Sequence, residues 1–251
     1  MKLETIIATA VYYVCKTVAN VAPHDYKAVG KGAIPKKEPF IIWADHDSSK
    51  NIWEDANLTG RRVVFVTKSE YFRNPIFGIP LRLSHNIRFN RNGTNMEEVY
   101  SGIERAVREN VGIIVYPGGT RSKSGMIGPA GRLMVDLAEY VVKLSETYKT
   151  NIHLITVGRK ATLTNGKRAN VTVDCKVAAV ATDGRLALTD EGAQKKFESV
   201  YTADRGKGFE FFVNGYVMPR IANQSGKEFK PDANVFLRTE RDKRRLASRN
   251  D

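Results

Sequence analysis

Four short apolar runs, Phe40–Ala44, Val63–Thr67, Gly112–Tyr116 and Ile152–Val157, are separated by stretches with helical spacing, and this alternation most restricts the fold. Each run is rich in β-formers and bounded by polar residues, the pattern of a strand buried on both faces. Helices are predicted over 48–58, 94–110 and 131–147. The second begins at Thr94 with Glu97 three residues on, a capping-box arrangement. Residues 170–181 alternate like a further strand, and 190–222 read as mostly helical. Alternating β and α elements predict an α/β fold, a single domain with a mostly parallel central sheet flanked by helices. A chain of 251 residues can bury one full core. No repeat and no long Pro-, Gly- or Ser-rich linker divides it. The expected organisation is an N-terminal amphipathic helix over 1–24, an α/β domain over 25–235 and a basic tail over 236–251.

In that first segment, Leu3, Ile6, Ile7, Ala10, Val11, Val14, Val18 and Val21 recur at i, i+3, i+4 and i+7, and Pro23 closes it. Two readings stand for it: a helix docked on the core, or one lying in a membrane surface. No apolar run reaches the ~18 residues of a spanning helix. The run Ile6–Cys15 is too short and lacks a basic stretch before it, so no cleaved signal peptide is expected. Cys15 and Cys175 read as two reduced, partly buried thiols. The 40 Lys and Arg against 27 Asp and Glu leave a charge of +13. Such a surface attracts polyanions such as anionic lipid or phosphorylated carriers. Nucleic acid is not an expected partner, because no recognition motif accompanies the charge. The tail charges (Arg238, Arg241, Lys243, Arg244, Arg245 and Arg249, against Glu240 and Asp242) read as a solvated end.

Two segments carry the chemistry, each directly after a predicted strand. The first is Asp45-His46-Asp47-Ser48-Ser49-Lys50-Asn51, and the second is Tyr116-Pro117-Gly118-Gly119-Thr120-Arg121-Ser122. In open α/β sheets, ligands collect beyond the carboxyl ends of strands, so both segments are expected to face one crevice. His46 is the candidate base, since an imidazole titrates near neutrality and accepts a hydroxyl proton. The Gly118-Gly119 pair offers backbone N–H groups to an anion, and Arg121 adds a cationic fork. No cluster has metal-ligand spacing, and no cofactor is expected. Ser48 and Ser49 sit side by side and do not make a nucleophilic triad.

These residues resemble the blocks of the glycerolipid acyltransferases, the family of glycerol-3-phosphate and lysophosphatidate acyltransferases. Its Asn-His-x-Ser-x-x-Asp block is matched by Asp45 to Asn51. Its second block is matched by Lys68-Ser69-Glu70-Tyr71, Pro75-Ile76-Phe77-Gly78 and Ile87-Arg88-Phe89-Asn90-Arg91. The Phe-Pro-Glu-Gly-Thr-Arg-Ser block is matched by Tyr116 to Ser122. Gly131 then leads a helix. The resemblance covers residues 39 to 158. It implies a transferase of phospholipid biosynthesis and lipid metabolism, moving a fatty acyl group from a thioester of CoA (acyl-CoA) or acyl carrier protein to a hydroxyl of a phosphorylated glycerolipid-type acceptor. It further implies His46 as general base with Asn51 at the orienting position. Lys68, Arg91, Gly118, Gly119, Thr120, Arg121 and Ser122 are the implied substrate-binding residues. The expected partners are acyl-CoA or acyl carrier protein and anionic membrane lipid. The expected location is cytoplasmic, peripheral on the inner face of a membrane.

Four positions depart from the family's pattern: Asn51 for Asp, Gly118 for Glu, His85 for Gly, and Thr156 for Pro. An Asn oxygen can fix the histidine tautomer, but it cannot neutralise the imidazolium. In the serine-protease triad the equivalent change costs ~10⁴ in kcat. Asp45 or Asp47 is the candidate substitute carboxylate. The alternative expectation is a catalytically impaired relative that binds lipid or acyl carrier.

Overall fold

A computed structural model describes residues 3–20, 26–48, 50–76, 78–90, 96–118, 126–164 and 167–231. Strands β1 (Tyr26–Val29), β2 (Phe40–Ala44), β3 (Val63–Lys68), β4 (Ile87–Phe89) and β5 (Gly112–Val115) alternate with helices. They are α1 (Leu3–Asn20), α2 (Asn51–Thr59), α3 (Ser69–Phe72), α4 (Gly78–Leu83) and α5 (Met96–Arg108). A short β6 (Met126–Ile127) and α6 (Arg132–Thr147) precede the long strands β7 (Ile152–Thr164) and β8 (Lys167–Thr182). Then come β9 (Arg185–Leu188), α7 (Glu191–Ala203), α8 (Arg205–Glu210), a π-helical stretch over Phe211–Val217, α9 (Met218–Ser225) and β10 (Glu228–Phe229).

The main sheet runs β1-β8-β7-β2-β5-β3-β4, with β9 beside β8. Strands β2, β3, β4, β5 and β7 pair in parallel, whereas β7–β8 and β8–β9 are antiparallel. All five residues of β2 are buried, and they alternate between two cores. Ile41 and Trp43 join Val64, Ile113, α5, α6 and the C-terminal helices on one face. Phe40, Ile42 and Ala44 join Tyr12 of α1 and Ala56 and Leu58 of α2 on the other. A central parallel strand must be apolar on both sides, and these residues are. The Tyr12 hydroxyl donates to the Ala56 carbonyl (3.2 Å) and the Arg61 carbonyl (3.0 Å), which pins α1 to the end of α2.

Some boundaries differ from the sequence reading for local reasons. Helix α2 starts at Asn51 rather than 48, because the Asn51 side chain takes the amides of Asp47 and Ser48 and holds them in a turn. Strand β7 runs past Val157 to Thr164, because β8 folds back on it and satisfies the backbone of polar residues. Thr94 of the capping box, the end of the first helix beyond Asn20 and the tail 236–251 lie outside the described residues. Cys175 is a free, buried thiol whose pKa burial pushes up to about 12.

Candidate functional site

His46 lies two residues beyond β2, at the sheet edge formed by the carboxyl ends of β2, β3 and β5. Its half-buried ring stacks on Tyr116, which follows β5, with centroids 4.3 Å apart and an interplanar angle of 21°. Nδ1 is 3.1 Å from Asn51 Oδ1. The same oxygen accepts the backbone N–H groups of Asp47 (2.9 Å) and Ser48 (2.8 Å). On its other side, Asn51 Nδ2 donates to Glu54 Oε2 at 3.0 Å. These neighbours dictate which way the amide faces. A reversed amide would put NH₂ against two N–H donors and its oxygen against a carboxylate. His46 Nδ1 therefore carries a proton and donates it to Asn51, leaving Nε2 as the basic nitrogen.

A buried charge cluster lies beneath this pair. Arg159, on β7, has no exposed surface in its side chain and binds three carboxylates: Asp45 (2.6 Å), Glu54 (3.0 Å) and Asp55. Arg159 Nη1 also donates to the Asp45 carbonyl at 2.7 Å. Lys227, beyond α9, closes on Asp45 at 2.8 Å and Asp47 at 3.5 Å. The Tyr116 hydroxyl donates to Asp55 Oδ2 at 2.8 Å. Burial pushes the Asp55 carboxyl up to about 6, against the pull of Arg159 and the Tyr116 hydrogen bond, with Asp45 and Glu54 adding to the rise. For Arg159, burial disfavours the charged form, but Asp55 and Asp45 outweigh it and hold the guanidinium protonated. Burial, then the Asp55 charge, raises the Tyr116 phenol well above its usual value.

Gly158 lets this cluster form. A Cβ there would sit 2.4 Å from Gln224 Cβ and 2.6 Å from Ser225 N, so only glycine lets α9 lie this close to β7. Among the described residues, no group of three or more His, Cys, Asp or Glu side chains is arranged to hold a metal ion.

The predicted site residues divide in three. His46 and Asn51 are brought into direct contact. Lys68 ends β3 and Gly118 follows β5, both at the edge that carries His46. Arg91, Gly119, Thr120, Arg121 and Ser122 lie outside the described residues. The candidate substitute carboxylates are committed elsewhere: Asp45 to Arg159 and Lys227, Asp47 to Lys227. Sequence reasoning missed Glu54, Asp55, Arg159 and Lys227. The adjacent acids one turn after Asn51 were the available signal, since two carboxylates on a helix flank otherwise rich in apolar residues need a partner. His85, where the family has Gly, adopts a left-handed φ of 60°. Thr156, in the family's Pro position, donates to the Lys176 carbonyl at 3.3 Å.

A family model described as Acyltransferase matches residues 26–161, more than half of the chain. The chain belongs to the acyltransferase family. Its fold is similar to that of the 1-acyl-sn-glycerophosphate (LPA) acyltransferase PlsC from Thermotoga maritima. That match has 18% identity and a TM-score of 0.50, and covers 82% of this chain and 80% of the other. No curated protein matches the chain by sequence.

Proposed function

We propose that this protein transfers a fatty acyl group from a CoA or acyl-carrier-protein thioester to a hydroxyl of a phosphorylated glycerolipid, lysophosphatidate or a similar molecule. The observation that carries the reading is the forced tautomer of His46, whose Nδ1–H donates to Asn51 Oδ1 at 3.1 Å. Nε2 of His46 takes the acceptor's hydroxyl proton as the oxygen attacks the thioester carbonyl. The tetrahedral intermediate collapses with loss of thiolate, which recovers the proton from the imidazolium. Lys68, Arg91, Gly118 to Thr120, Arg121 and Ser122 are assigned to the acceptor's phosphate and the developing oxyanion, in line with the basic surface. The acyltransferase family and the fold shared with PlsC support a lipid acceptor.

The reading includes peripheral attachment to anionic membrane lipid. No helix among the described residues is long and apolar enough to cross a membrane. Instead, Leu3, Ile6, Ile7 and Val14 of α1 are exposed, as are Ile76, Ile79 and Leu83 in and before the neighbouring α4. A patch of this kind on a strongly basic protein suits a lipid surface.

The test is thiol release from acyl-CoA and acyl carrier protein thioesters with phosphorylated and neutral acceptors, beside a His46→Ala control. Release that depends on a phosphorylated acceptor and vanishes in the control is expected. Release no greater than the control would overturn the reading in favour of a lipid- or carrier-binding relative.

A further inference from the structure

We infer that Glu54 supplies, through Asn51, the negative charge that the orienting residue itself lacks. This rests on His46 being the base. Glu54 is a positioning residue: it meets Asn51 Nδ2 at 3.0 Å, while Asn51 Oδ1 meets His46 Nδ1 at 3.1 Å. The three side chains form one chain of hydrogen bonds, imidazole to amide to carboxylate, with every donor pointing toward Glu54. When His46 takes a proton, the amide between the two charges is already polarised in the stabilising sense, and nothing has to reorient.

Among the described residues, Arg159 pairs with Asp45, Glu54 and Asp55, and Lys227 with Asp45 and Asp47. Tyr116, stacked on His46, donates its hydroxyl to Asp55. Compared with the family's pattern, the carboxylate is displaced by one link and retained.

A charge swap tests this. In Asn51→Asp, the new carboxylate would keep the Asp47 and Ser48 amides on one oxygen and put the other about 3.0 Å from Glu54 Oε2. Two oxygens that close share one proton, so the net charge is unchanged. In the double variant, Asn51→Asp with Glu54→Gln, the amide introduced at position 54 turns its NH₂ to the carboxylate introduced at position 51 and gives up the contact that Glu54 Oε2 makes with Arg159 Nε at 3.0 Å. That places one carboxylate directly on His46.

Two readouts are taken on the full-length protein and the three variants: NMR titration of the His46 ring without substrate, and kcat. Glu54→Gln is expected to lower the His46 titration midpoint and to reduce kcat by about 10- to 100-fold, the usual worth of a hydrogen bond to a charged group. Asn51→Asp alone is expected to give a lower kcat than the double variant, because its added carboxylate shares a proton with Glu54. The double variant is expected to restore the midpoint and to regain at least the wild-type kcat. If Glu54→Gln does not fold, the comparison of Asn51→Asp with the double variant decides. A His46 midpoint unmoved by Glu54→Gln, or a full gain from Asn51→Asp alone with none added by Glu54→Gln, would overturn the inference. A moved midpoint without any turnover in wild type would instead uphold the relay and sink the transferase reading.

Discussion

Replacing Arg159 by Met would remove the guanidinium while nearly keeping its volume, and would leave three carboxylates buried around an apolar side chain. Asp45 keeps Lys227 at 2.8 Å and Glu54 keeps the Asn51 amide at 3.0 Å, so neither is stripped bare. Asp55 loses the cation that faces it and retains the Tyr116 hydroxyl. Breaking a buried pair by removing one partner costs about 3–5 kcal/mol, because a charge remains uncompensated in low dielectric. For a chain of this size each kcal/mol moves the melting temperature by about 2–4 °C, which gives a loss of about 6–20 °C near pH 8. The pH dependence supplies the stricter check. Asp55 already has a native pKa raised to about 6 from 3.8, so its favourable contribution is complete below about 3.8 and is lost as pH rises through about 6. Without Arg159 the native pKa rises further. The native state then binds more protons than the unfolded state over a wider range, and stability recovers on acidification. Melting followed by circular dichroism at pH 8 and pH 5.5 should therefore show a smaller deficit at the lower pH. An unchanged melting temperature at pH 8, or a deficit that grows toward pH 5.5, would refute the view of Arg159 as the cation that neutralises this cluster.

Tyr116→Phe keeps the ring on His46 but takes the hydroxyl from Asp55, and an orphaned acceptor of this kind costs about 1–3 kcal/mol. Thermal melts should fall by about 2–12 °C while kcat stays within a few-fold of wild type, and a loss of activity without a loss of stability would count against a structural role for that hydroxyl. Ile76→Glu with Ile79→Glu should reduce flotation with anionic phospholipid vesicles by about tenfold or more, since each buried aliphatic side chain is worth about 1.5–3 kcal/mol. Undiminished flotation would place lipid contact elsewhere.

The elements were legible wherever the cause was local. Helices α5 and α6 follow from runs whose period decides their type, strand β2 from a short β-rich apolar run bounded by polar residues, and the C-terminal stretch 190–222 is mostly helical as its pattern indicates. The hydrogen bond between His46 and Asn51 was legible as well, because five residues separate the partners and a turn joins them. Arg159 was not. Its sequence neighbourhood is an apolar strand end followed by polar residues, which reads as the strand leaving the core. Its burial depends on three acids more than a hundred residues earlier. The same holds for the reach of β7: only its partner β8 makes residues beyond Val157 extended. Whether the oxygen or the nitrogen of Asn51 faces the histidine is open in the sequence, and it is decided by the two amides and the carboxylate around it.

The charge cluster also constrains when this protein can work. Arg159 reaches back 114 residues to Asp45, and Lys227 reaches back 182. Lys227 lies well beyond residue 161, where the family match ends. Contacts this distant close late, because chain entropy opposes them until the intervening structure is in place. On the ribosome, His46 is made 181 residues before Lys227, so the imidazole exists long before this cation does. The support under the imidazole therefore requires the segment after α9, and no nascent chain or fragment ending before Lys227 carries it complete.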